Sequence, residues 1–116
     1  EVHVKNRMPL FGDLHVHTAL SLDANTQGTL NTPDDAYRYA KGQSLYLQPY
    51  SPDGTSSRTS RLSKPLDFAA VTDHAELLGE VRMCVDNKSS KYSSLQCKAY
   101  RNFPKLAYFY MNAKAA

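Results

Sequence analysis

Residues 66–74 read Leu-Asp-Phe-Ala-Ala-Val-Thr-Asp-His. Leu66–Thr72 is nearly continuously apolar, the signature of a strand buried on both faces of a parallel sheet, and it runs directly into Asp73-His74. A buried strand that ends in an acid and an imidazole has a use for charge at its tip. In parallel α/β sheets, ligand sites lie beyond the carboxyl ends of the strands. Towards the N-terminus, Leu10–Thr18 (LFGDLHVHT) alternates: Asp13, His15 and His17 share one face, and Leu14 and Val16 take the other. A second strand is expected there, also ending in histidine.

Between these strands, Thr32-Pro33-Asp34-Asp35 reads as a helix start. Thr32 can cap, and Pro33 lacks an amide hydrogen that the first turn would leave unpaired. Asp34 and Asp35 face the positive end of the helix dipole, and Asp35 holds the acidic position of a capping-box pattern. Gly42 supplies the stop, so a helix is predicted near residues 33–41. Residues 19–31 read as a polar loop. Residues 43–65, with Pro49, Pro52, Gly54 and Pro65, read as a long excursion with a short strand near Leu45–Leu47. A helix is expected from about Ala75 to Val85, then a Ser/Lys-rich loop, then a last helix after Phe103-Pro104. Strand, helix, strand, helix is the order of an α/β architecture.

The chain has 116 residues, a net charge of +3 and a hydrophobic share of 41%. These suit one globular domain and exclude a disordered chain. No run of about 18 apolar residues exists, so no membrane-spanning segment is expected. The chain opens at Glu1 and stops at Ala113-Lys114-Ala115-Ala116, without a helix stop, so a piece of a longer protein is expected. Charge is uneven: residues 1–57 carry four basic and six acidic side chains, residues 58–116 ten and five. Beyond Asp86, basic residues including Lys98, Arg101 and Lys105 interleave with aromatics. That pattern can bind nucleic acid; a solvated or partner-facing helix is the plainer alternative, since no motif organises those residues. Cys84 and Cys97 enclose twelve residues and lack C-x-x-C spacing. A disulfide is expected if the protein is periplasmic or secreted, and two thiols if it is cytoplasmic.

Two histidines spaced by two on an extended segment project from one face and can converge on one ion. Neutral imidazole suits Zn, Mn and Fe. Asp23 lies six residues beyond His17, close enough for a turn to return its carboxylate to the same mouth. Asp13 could accept a hydrogen bond that fixes a histidine tautomer. Against this stands the reading of His15 and His17 as an ordinary solvated pair. His3, in a polar stretch, is expected to be exposed and idle.

Asp13-Leu14-His15-Val16-His17-Thr18, followed by Ser21 and Asp23, resembles the first motif of the polymerase and histidinol phosphatase (PHP) superfamily, and Ala70-Val71-Thr72-Asp73-His74 resembles its second. The surrounding residues are most similar to an uncharacterised bacterial branch classed as a domain of unknown function, whose members are often exported. The resemblance implies the first two β/α units of a distorted (β/α)7 TIM-like barrel, incomplete in this chain. It implies metal-assisted hydrolysis of small anionic phosphoesters, with two or three divalent ions in the full-length parent. His15 and His17 would bind one ion, Asp23 and His74 would help bind another, and Asp73 would support catalysis beside His74. The ions would acidify water and clamp the attacking and leaving oxygens. A whole barrel of this type needs roughly 200 residues or more. The expectation is therefore an activity that belongs to the full-length parent, a partial site here with weakened affinity and no turnover by this chain alone, and an open sheet edge that the rest of the barrel or other subunits must cover. Competing function classes are a non-catalytic metal-binding or self-assembling structural module, and nucleic-acid binding through the basic half.

Overall fold

A computed structural model describes residues 8–115, so His3 lies outside the described residues. Strand β1 (Gly12–Val16) pairs in parallel with a strand at Phe68–Val71, the last of four among the described residues and here β4. Gly12 sits opposite Phe68, where a side chain would collide with the carbonyl and ring of that residue. The register advances three residues on β1, from Asp13 to Val16, and two on β4, from Ala69 to Val71. The extra residue makes a bulge, a device that re-aims side chains near sites. Asp13 Oδ1 accepts the His15 amide at 2.8 Å within it.

Helix α1 (Leu22–Thr26) follows β1, and α2 (Pro33–Ala40) precedes an antiparallel pair, β2 (Leu45–Tyr46) with β3 (Thr59–Ser60). The α2 start has the expected chemistry: Thr32 Oγ1 accepts the Asp35 N–H, and the Asp35 carboxylate accepts the Thr32 N–H. Gly42, at φ +85°, ends the helix in a conformation that suits glycine. The Tyr37 hydroxyl accepts the Val71 amide at 3.2 Å and docks α2 on β4. The excursion at 43–65 is thus a small hairpin, with Tyr39 Oη bonded to Ser60 Oγ at 2.9 Å.

The chain ends in α3 (Leu78–Val85), α4 (Leu95–Asn102) and α5 (Pro104–Ala115). Leu22, Val81, Cys84, Cys97 and Tyr100 form the buried core, with Leu77, Ala107, Tyr108 and Met111 packed against it. Cys84 and Cys97 are joined in a disulfide between α3 and α4. Arg101 caps this layer, donating to the carbonyls of Cys84 and Tyr92 and lying 3.7 Å over the Tyr92 ring. Among the described residues, no helix is long and apolar enough to cross a membrane.

Several expectations need correction. The described residues form a small mixed α/β domain with two sheets of two strands each, not the opening units of a (β/α)7 TIM-like barrel. The physical reason is where the apolar surface goes. The core lies between helices, while the strands are short and poorly covered, Leu14 being 65% exposed. β4 is not buried on both faces: it has one partner strand, and Phe68 at its start is exposed. Residues 19–31 contain α1, and the Ser/Lys stretch ends in α4, whose cap Ser94 accepts the Cys97 amide at 3.2 Å. α3 begins at Leu78 rather than near Ala75, because Leu77 takes a left-handed φ of 63°. A branched side chain adopts that φ only under tertiary constraint, and Leu77 packs on the core.

Candidate metal centre

The site forms where β1 and β4 end side by side, joined by the Thr72 N–H to the Val16 carbonyl at 2.8 Å. The next residues on each strand are then locked together. Thr18, 1% exposed, gives its amide to Asp73 Oδ1 at 2.5 Å and its hydroxyl to Asp73 Oδ2 at 2.6 Å. Both oxygens of Asp73 are thus used in a strap between chain segments 55 positions apart.

After that strap the chain turns into α1, whose second residue is Asp23. Its Oδ2 lies 2.7 Å from His17 Nδ1 and 3.8 Å from His74 Nε2. One ligand atom from each of His17, Asp23 and His74 can be chosen so that all three lie within 4.8 Å of one another. Asp23 Oδ1 accepts the Ser21 hydroxyl at 2.6 Å and the Ala24 amide at 2.7 Å. Partial burial pushes the Asp23 carboxyl up. The bonds from Ser21, His17 and Ala24, with the charge of His17, outweigh that and hold it at about 2. Asp23 is therefore a carboxylate at neutral pH, ready to face a cation.

His15 lies beside this trio, its ring centroid 4.8 Å from that of His17, so the two histidines do share a face. His17 and His74 rings meet edge-on at 4.9 Å. The Asp13 carboxylate takes a backbone amide of its own strand, that of His15. Cys84 and Cys97 belong to the helical layer. That layer touches the site's helix where Tyr100 Oη donates to Asn25 Oδ1 at 2.7 Å. Three contributors were not singled out for a role from the sequence. Thr18 and Ser21 are buried hydroxyls, and Glu76 places Oε2 3.7 Å from His74 Nδ1. The bonds that tie the first two to the other strand end, Thr18 to Asp73 and Ser21 to the His74 amide, cross more than 50 positions and are invisible locally; Glu76, two residues past His74, is visible as a nearby acid.

Residues 4–114 match the family described as "Protein of unknown function (DUF3604)". The chain belongs to the DUF3604 family. No curated protein and no solved structure matches it. The match spans β1, β4 and all the residues of the site, so the histidine and aspartate cluster lies inside the DUF3604 region.

Proposed function

We propose that this DUF3604 chain carries a metal site of a hydrolase acting on small anionic phosphoesters, in the manner of the PHP superfamily that its two motifs resemble. The supporting observation is the convergence of His17, Asp23 and His74 within 4.8 Å. Two imidazoles and one carboxylate suit zinc, manganese or iron, and three protein ligands leave positions for water and substrate, as catalytic sites do. Asp23 Oδ2 already lies 2.7 Å from His17 Nδ1 and the trio spans up to 4.8 Å, so holding one ion would ask that the first pair part slightly and the wider one close. His74 is exposed and sits between β4 and α3, outside both elements, where such a shift meets little packing. When bound, the ion supplies Lewis-acid polarisation and lowers the pKa of a coordinated water.

The chain's own residues do the positioning. Asp23 supplies the charge, and His17 and His74 supply neutral nitrogen. Glu76 Oε2 lies 3.7 Å from His74 Nδ1, while the other ring nitrogen, Nε2, is the one 3.8 Å from Asp23 Oδ2. Asp73 and Thr18 hold the two strand ends in register, and His15 stands next to His17 as a ligand for a second ion. The Cys84–Cys97 disulfide favours a periplasmic or secreted location.

Titration of the oxidised chain with zinc or manganese tests this. Stoichiometric binding that is lost in both His17→Ala and His74→Ala is expected, followed by turnover in a screen of phosphomonoesters and diesters. Binding unchanged by both substitutions refutes the centre. Binding without any turnover favours a non-catalytic metal module.

A further inference from the structure

Ser21 occupies the N-cap of α1, with extended φ −80° and ψ 132°. A serine there ordinarily accepts an amide hydrogen from the first helical turn. Ser21 makes no such bond. Its hydroxyl donates instead to Asp23 Oδ1 at 2.6 Å and accepts the His74 amide at 3.1 Å, from 53 positions away. The residue is 0% exposed, so water offers the hydroxyl no alternative partner. A buried group diverted from its usual local task to two residues of one site has a use in that site.

The geometry says what the use is. Ser21 and the Ala24 amide both hold Oδ1 of Asp23, which turns Oδ2 towards His17 and His74. With Ser21 removed, the Ala24 amide alone would hold Oδ1, and the only other restraint on rotation about Cβ–Cγ would be the His17 contact at Oδ2, the atom meant for the ion. The same hydroxyl ties that carboxylate to the backbone of His74, so ligands from the two halves of the chain share one anchor. On the basis of the metal-centre assignment above, we infer that Ser21 is the positioning residue of this site. It aims Asp23 and couples it to His74 without itself touching the ion.

The test uses the whole oxidised chain, zinc(II) affinity by competition with a chromophoric chelator, and the visible absorption of bound cobalt(II). Ser21→Ala should weaken zinc by about 10–100-fold, as loss of a partner behind a ligand does, and should shift the cobalt(II) bands. Tyr100→Phe is the matched control: it removes a buried bond to the same helix, through Asn25, without touching Asp23. It should leave the affinity and the bands unchanged. Equal weakening in both variants would mean general loosening of α1 and would overturn the positioning role. Unchanged zinc affinity in Ser21→Ala, with a loss in Asp23→Asn, would also overturn it while leaving the centre standing. If Asp23→Asn has no effect either, the centre itself falls and the role with it. Should Ser21→Ala fail to fold, Ser21→Gly, which N-caps tolerate, is read in its place.

Discussion

Thr18→Val isolates the strap that joins the two strand ends. Valine keeps the shape of threonine at a position 1% exposed, so no cavity opens and the loss is that of the hydroxyl. The hydroxyl donates to Asp73 Oδ2 at 2.6 Å, and a bond to a charged partner contributes roughly 1.5–3 kcal/mol. It also accepts the Leu20 amide at 3.3 Å, a long bond that adds little. The expected cost is therefore about 2–3 kcal/mol, or a fall in Tm of roughly 10 °C for a chain of this size. Asp73→Asn should cost about half as much. Its amide can still accept the Thr18 N–H and donate to the Thr18 hydroxyl, losing charge but not the bonds. In the double variant the costs should fall well short of adding, because both substitutions act on one bond. Urea denaturation followed by circular dichroism, without reductant, measures all three. A Thr18→Val cost below about 0.5 kcal/mol, or full additivity, would show that the strap is not a stabilising contact.

Three further outcomes are expected. Cys84→Ser with Cys97→Ser, or reduction of the bond, should remove on the order of 3 kcal/mol on the chain-entropy view of a 13-residue separation; equal melting curves with and without reductant would contradict this. Asp35→Ala should lose about 1 kcal/mol by opening the capping box. The Asp35 carboxyl lies below the ordinary 3.8, because bonds from Thr32 and Arg38 outweigh its partial burial. The parent's advantage should thus be full above that value and vanish as pH falls through the lower folded one, as paired melts across acid pH would show. Burial pushes the Tyr100 phenol up to about 12. Stability should decline as pH rises from about 10 towards 12, and Tyr100→Phe should remove that part of the decline. Ultraviolet titration in which every tyrosine ionises together would refute it.

What was legible in the sequence was local. Thr32, Pro33 and Asp35 form their box within four residues, so α2 could be read almost to its ends. The alternation of LFGDLHVHT and the apolar run before Asp73 located β1 and β4 and their parallel pairing. The helices α1 and α4 were hidden because each buries only two residues, Leu22 with Thr26 and Cys97 with Tyr100, too few in polar segments to show a helical period, and these complete one another only across the chain. The barrel expectation failed for a related reason. The motifs behind it describe residues at strand tips, and strand tips carry no information about which surfaces the following helices cover. The candidate site was half legible: His15, His17, Asp23, Asp73 and His74 stood out by residue type, while the hydroxyls of Thr18 and Ser21 did not, because their bonds to Asp73 and to the His74 amide are made only on folding.

This division has a physical consequence for the site. α1 has five residues, far below the length at which a helix is stable alone, yet it carries the acidic member of the cluster. Its order is borrowed. Leu22 is buried in the core with Val81 of α3 and Cys97 and the Tyr100 ring of α4. The histidines, by contrast, are delivered by the ends of β1 and β4, which depend on the Thr18–Asp73 strap. Asp23 and the histidines are therefore positioned by two different parts of the fold. The Ser21 hydroxyl, linking Asp23 to the His74 backbone, is where those parts are joined. A core substitution such as Val81→Ala, itself at none of the ligands, should weaken zinc(II) binding through Leu22 and α1, and an unchanged affinity by chelator competition would show that α1 does not take its order from the core.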